Sequence, residues 1–175
     1  AVCDVAPPEE RLAIRQEALD LAKPLLDAGD PRLWNLRYDL ARQKVSMSAR
    51  RAEGIEELRG VAAWMRAHYG PQHAQTVRTV FALGRALNTP DESKAEALEL
   101  LGEVDRAGRL NPGSFSAGNR VSFMTEYSRA LFAANRHEEA LALGRESIRL
   151  ALAELGPDKF ETARALMPHA RHCQK

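Results

Sequence analysis

With 175 residues, 45% of them hydrophobic, the chain is long enough for one folded domain with a sizeable core and too apolar to stay disordered. Its 25 basic and 24 acidic side chains leave a formal net charge of +1, which excludes a strongly basic nucleic-acid binder. Aromatics at 6% are too few for a platform that stacks single-stranded bases. The helix formers Ala, Leu, Arg and Glu dominate, and no alternating β-branched run occurs, so the expected fold is all-α.

The first expected helix covers Glu9 to Asp27. It carries Leu12, Ile14, Ala18, Leu21, Leu25 and Leu26 at helical spacing, with Pro24 as a kink or last-turn mark and Gly29-Asp30-Pro31 as its end. Leu33 to Met47 follows with Leu36, Leu40 and Ala41. Ser48 reads as the start signal of a third helix, about Ala49 to His68, with Ile55, Leu58, Val61, Ala62 and Met65 inward and Gly70-Pro71 as the stop. Gln72 to Leu87 forms a fourth, striped by Val77, Val80, Leu83, Gly84 and Leu87. After the turn Asn88-Thr89-Pro90-Asp91 comes a fifth, about Glu92 to Arg106, with Ala97, Leu98, Leu101 and Val104. Gly108 to Gly113 reads as a loop. Helices over about Ser116 to Ala134, His137 to Leu155 and from Phe160 onward complete the series, the last two separated by Gly156-Pro157-Asp158.

The breaks recur. Gly29 and Gly70 lie 41 residues apart, Gly70 and Gly156 twice 43, and Asn111-Pro112-Gly113 supplies the middle break. A period near 42 is that of a two-helix repeat. The run from Tyr127 to Leu141, with Ser128, Leu131, Asn135-Arg136 and Glu138-Glu139-Ala140, resembles the tetratricopeptide signature. Small Ser128 and Ala140 let antiparallel helices approach, while Met124, Tyr127 and Leu131 fill the space between repeats. Leu155 to Ala163 and His68 to Thr76 resemble the connector of the longer-period, kinesin-light-chain-like subclass, with Phe160 and Ala74 where that connector usually has Pro. The resemblance implies a right-handed α-solenoid of about three to four repeats. Residues 1–8 are expected to be a flexible N-terminus. Residues 9–173 are expected to be one domain: half-repeat 9–28, repeats 30–69, 71–111 and 112–156, and half-repeat 157–173. Gly54 stands where the pattern has a small Ala.

The resemblance also implies a groove lined by the first helix of each repeat. Superposed, the units place Arg78, Phe81 and Arg85 there, then Ser122, Thr125 and Arg129, then Arg164, Met167 and Arg171. Arg85, Arg129 and Arg171 occupy equivalent places, as do Arg78 and Arg164. Such a row, about 10 Å from helix to helix, suits an extended acidic or carboxylate-bearing peptide, because guanidinium binds carboxylate bidentately and stays charged. Phe81 would add apolar contact. The Asn and Lys residues by which some family members clamp a terminal carboxylate are absent from these places.

The implied function is therefore protein or peptide binding without catalysis or cofactor. No phosphate loop, nucleophile elbow or His-Glu-x-x-His occurs, and Glu9-Glu10, Glu56-Glu57 and Glu138-Glu139 complement helix N-termini. His169, His172 and Cys173 cluster, but Cys173 falls at a core position of the pattern, so no metal is expected. Cys3 and Cys173 make no disulfide framework. Apolar runs of about five residues, as from Val61 to Met65, fall well short of the roughly 20 a membrane span needs, so no membrane partner is expected. The chain begins Ala1-Val2-Cys3, without Met, and is expected to be a processed form or a piece of something longer; no signal peptide is visible, and the compartment stays open, with the cytoplasm favoured. Two alternatives stand beside the scaffold reading: a homodimer formed through the end helices, and a ligand-sensing regulatory domain of a larger bacterial signalling protein.

Overall fold

The computed structural model describes residues 7–89 and 93–172, with side chains as far as Met167. Among these residues are eight α-helices and no strand: α1 (Pro8–Ala22), α2 (Pro31–Val45), α3 (Arg51–Tyr69), α4 (Ala74–Leu87), α5 (Lys94–Leu110), α6 (Ala117–Ala133), α7 (His137–Glu154) and α8 (Phe160–His172). Short 3-10 turns precede α3 and α6, at Ser48–Arg50 and Pro112–Ser114. The chain divides into two compact units between His68 and Tyr69. None of the helices is long and apolar enough to cross a membrane.

Local chemistry sets the helix ends. Asp30 caps α2 by accepting from the Arg32 backbone N–H at 2.8 Å, and Pro31 takes the first helical position, where no N–H is needed. Ser93 and Ser116 cap α5 and α6 in the same manner. Gly70 and Gly156 leave α3 and α7 at φ of +84° and +88°, a conformation that costs a glycine little. Asn135 makes the tight turn between α6 and α7 at φ 62°.

Three expectations are corrected here. The first helix ends at Ala22, not Asp27, because Pro24 has no N–H to continue the ladder. Leu25 and Leu26 instead donate to the Ala22 carbonyl at 3.0 Å. The face of α1 that is covered carries Leu12 and Leu19, whereas Ile14, Leu21 and Leu25 are 56%, 64% and 80% exposed. The expected loop from Gly108 is helical to Leu110, and Phe123 lies against the bare Gly108 backbone, where a Cβ would meet its ring at 3.2 Å. The expected turn at Pro90-Asp91 and the helix start at Glu92 lie outside the described residues.

In the first unit, Leu12 and Leu19 of α1 pack with Leu33 and Leu40 of α2 and with Met47. Helix α3 then approaches α2 very closely at Gly54. A Cβ there would stand 2.7 Å from both the Ala41 carbonyl oxygen and the Val45 nitrogen. Beside this contact the buried Lys44 ammonium donates to Glu53 at 2.5 Å and to Glu57. Burial alone would lower its pKa, but the two carboxylates outweigh burial and raise it. Trp34 stacks on Trp64 at 4.8 Å, Trp64 on His68 at 4.5 Å, and the Arg37 guanidinium sits 4.4 Å from the Trp34 ring.

In the second unit the same device recurs. Gly84 of α4 receives Leu101 of α5, and Ala97 is fully buried beside it. In the α6–α7 pair, Ser128 donates to the Ala140 carbonyl at 2.7 Å, so a small polar residue allows close approach and is itself satisfied. Gly54, Ala97 and Ala140 stand 43 residues apart, each buried. Met124, Leu131 and Leu143 fill the next layer, and α8 closes on α6 and α7 through Val121, Ala151 and Ala165.

Candidate functional site

The expected groove residues lie on α4, α6 and α8. On α4, Arg78, Phe81 and Arg85 follow at i, i+3 and i+7 and share a face, the opposite face being committed to the core by Val77, Val80, Leu83 and Leu87. Phe81 is half-buried. Its ring meets Phe123 of α6 edge-on at 4.8 Å, Phe115 meets Phe123 edge-on at 5.4 Å, and the Arg85 guanidinium lies 5.6 Å from the Phe81 centroid. Next to these rings is a cavity of about 530 Å³, bordered by His73, Arg78, Phe81, Phe115 and Asn119.

The centre of the site is a residue outside the expected set. Glu126 of α6 is 3% exposed. Its carboxylate accepts from Arg164 Nη2 at 2.6 Å and from Arg129 Nη1 at 3.1 Å, and Arg85 Nε stands 3.5 Å away. Three helices thus send one guanidinium each to a single buried carboxylate. Among the described residues Arg129 and Arg164 have no other carboxylate partner. A buried carboxylate is tolerated only when paired and hydrogen-bonded, and this one is paired from three directions.

Two groove expectations change accordingly. Arg85 and Arg129 do not stand in a spaced row: with Arg164, which was aligned with Arg78 instead, they converge on Glu126 because its carboxylate attracts all three. Thr125 does not face the groove. It is 4% exposed and donates to the Val121 carbonyl at 2.7 Å, with Ser147 of α7 at 3.0 Å, so it belongs to the α6–α7 packing. Arg78 is exposed on α4, Ser122 is half-buried, and Met167 is 53% exposed on α8. Arg171 and the His169, His172 and Cys173 cluster lie outside the described side chains.

Comparison with solved structures decides the fold. A kinesin-light-chain-type protein of Podosopora anserina with nearly identical TPR-like repeats matches with a TM-score of 0.78 at 20% identity, over 95% of this chain and 78% of that one. A point variant of the same protein matches with a TM-score of 0.79 at 20% identity, over 95% and 77%. The fold is a tetratricopeptide-like helical repeat. No family model and no curated protein matches the sequence.

The TPR-like fold explains why the site has this form. Alternate helices lie side by side, so positions on α4, α6 and α8 that are about 40 residues apart become neighbours. Glu126 was visible in the sequence only as an acid less than one turn before Arg129. Its partners Arg85 and Arg164 are remote in the chain, 38 residues in the latter case, and an isolated acid on an inner face gives no sign of which cations it gathers.

Proposed function

We propose that the chain is a non-catalytic protein-binding scaffold whose α4–α6–α8 face takes an acidic, carboxylate-bearing segment of a partner. The observation that carries this reading is the convergence of Arg85, Arg129 and Arg164 on one carboxylate beside Phe81. A guanidinium has five N–H donors in a fixed fork. Arg129 and Arg164 each spend one hydrogen bond on Glu126, so donors remain for an incoming carboxylate. Glu126 holds the guanidiniums in place beforehand, which reduces the ordering cost of binding. Phe81 and the neighbouring cavity supply an apolar contact, and Arg78 extends the positive edge along α4.

A labelled Asp/Glu-rich peptide and its Asn/Gln counterpart, compared by fluorescence anisotropy, test the proposal. The acidic peptide should bind at least about tenfold more tightly, the size of one charge-assisted hydrogen bond. The preference should shrink in the Arg129→Met/Arg164→Met variant and with added salt. Equal binding of both peptides, or an undiminished preference in the double variant, would rule the reading out.

A second reading, self-association through the end helices, is favoured by one specific observation. Ile14, Leu21 and Leu25 form an uncovered apolar edge at α1, and Phe160, Leu166 and Met167 are 72%, 45% and 53% exposed on α8. Sedimentation over a wide concentration range separates the two readings, since a strict monomer is incompatible with the second.

A further inference from the structure

The cavity of about 530 Å³ beside Phe81 lies within the second unit, between the first turns of α4 and α6 and the turn that precedes α6. It is within the size range of small-molecule sites. Its apolar wall is made of three phenylalanines, half-buried Phe81 and the buried Phe115 and Phe123. Their rings meet edge-on and so hold one another in place.

The rest of the lining is polar and of one sign. Among the described residues Arg78 is the single fully charged side chain that borders the cavity, and no carboxylate borders it. Glu161 of α8 packs on Gly118, next to Asn119 in the chain, but is not one of the bordering side chains. A guanidinium carries five N–H donors, so a partner elsewhere does not exhaust Arg78. Gln75, Ser114 and Asn119 border the cavity with side-chain donors that make no hydrogen bond among the described residues. His73 stacks on Tyr69 at 4.4 Å, and its Nδ1 accepts from the Gln75 N–H at 3.3 Å. That bond leaves the proton of the neutral ring on Nε2, as a further donor. The first turns of α4 and α6 add the positive ends of their helix dipoles.

We propose that this cavity binds a small aromatic acid. The aryl body lies on the phenylalanine wall, and the carboxylate accepts from Arg78, with Gln75 and Asn119 as neutral donors. A cation finds no bordering carboxylate to pair with. A wholly apolar ligand would cover Arg78 and the amide donors without giving them an acceptor, which is costly. The inference rests on the lining of the cavity and does not need the acidic-segment reading to hold. It adds a second ligand, of small-molecule size, that borders the first through Phe81.

Calorimetric titration with 2-naphthoate, and with the uncharged 2-naphthamide of the same shape, tests the proposal in the absence of any peptide. The naphthoate should bind at one site and about tenfold more tightly than the amide. Arg78→Met and Asn119→Phe change exposed positions of α4 and α6. Arg78→Met should bring the acid down to the affinity of the amide and leave the amide unchanged, which a loss of structure would not do. Asn119→Phe should block both compounds by filling the cavity, while its circular dichroism stays that of the parent. Arg145→Met removes an equal charge from an exposed position of α7 that does not border the cavity, and should leave both affinities unchanged. The proposal is overturned if the naphthoate shows no saturable binding, if acid and amide bind equally well, if Arg145→Met weakens the naphthoate as much as Arg78→Met does, or if Asn119→Phe binds like the parent.

Discussion

Replacing Gly54 by alanine tests the close helix contact on which the fold depends. The added Cβ would lie 2.7 Å from the Ala41 oxygen and the Val45 nitrogen and 2.9 Å from Lys44 Cβ. Ordinary contact begins near 3.4 Å, so α3 would have to retreat from α2 by roughly half an ångström or more, against backbone atoms that cannot rotate away. Overpacking of this kind costs about 1–3 kcal/mol. Because the atoms met are backbone, the cost falls in the upper part of that range, about 2–3 kcal/mol; alanine recovers about 1 kcal/mol in helix propensity, leaving a net loss of about 1–2 kcal/mol. Two other glycines calibrate the measurement. Gly60 has nothing within 4 Å of its added Cβ, so Gly60→Ala should stabilise by up to about 1 kcal/mol. Gly84 of the second unit meets the Leu101 side chain at 2.9 Å, which can shift, so Gly84→Ala, followed by far-UV circular dichroism, should be less harmful than Gly54→Ala. Both tryptophans, Trp34 and Trp64, lie in the first unit and stack on each other. Urea unfolding followed by tryptophan fluorescence therefore reports on the unit that holds Gly54. A Gly54→Ala variant as stable as the parent, or more stable, would refute the close-contact argument.

Other consequences are open to measurement. Glu126→Gln removes the charge that Arg85, Arg129 and Arg164 share. Because those cations are partly exposed, stability should fall by about 1–3 kcal/mol, below the cost of breaking a fully buried pair. The same variant should bind an acidic peptide more weakly, since the guanidiniums lose the carboxylate that holds them in place; calorimetric titration and urea unfolding read the two effects separately. Acid should weaken the second unit through Glu146, whose pKa is lowered from the ordinary 4.5 by its hydrogen bonds to Arg109. That contribution is complete above pH 4.5 and is lost as pH falls through the lower folded value. Asp105 works in the opposite sense: burial raises its pKa, so its contribution is favourable at low pH and is lost as pH rises through the folded value. Glu146→Gln should therefore cost less than about 1 kcal/mol at neutral pH, the pair being half-exposed, and the difference from the parent should shrink below pH 4.5.

The helices and their inward stripes were legible where one apolar face dominates. In α4, Val77, Val80, Leu83 and Leu87 follow a helical period and are all buried. α1 was less legible because it carries two apolar stripes. Nothing local distinguishes Leu12 and Leu19 from Ile14 and Leu21, and only the position of α2 decides which pair is covered. Gly108 misled because glycine marks loops by its freedom, while here its missing side chain makes room for Phe123. That Arg85 and Arg129 lie on one side of neighbouring helices followed from the repeat pattern. Their arrangement did not, since it depends on Glu126, a charged residue buried by helices that precede and follow it by about 40 positions. Superposition of the repeats put Thr125 in the groove, but its hydroxyl is satisfied by the Val121 carbonyl within its own helix, which lets it enter the core.

The central claim is that the arginines around Glu126 receive a partner's carboxylates. Its most direct test is an NMR titration of arginine Nε–H resonances with an Asp/Glu-rich peptide. The account predicts that Arg129 and Arg164 shift in saturable fashion with Arg85, while Arg37, remote in the sequence and engaged with Trp34, stays in place. Saturable peptide binding that leaves Arg129 and Arg164 unshifted would contradict it.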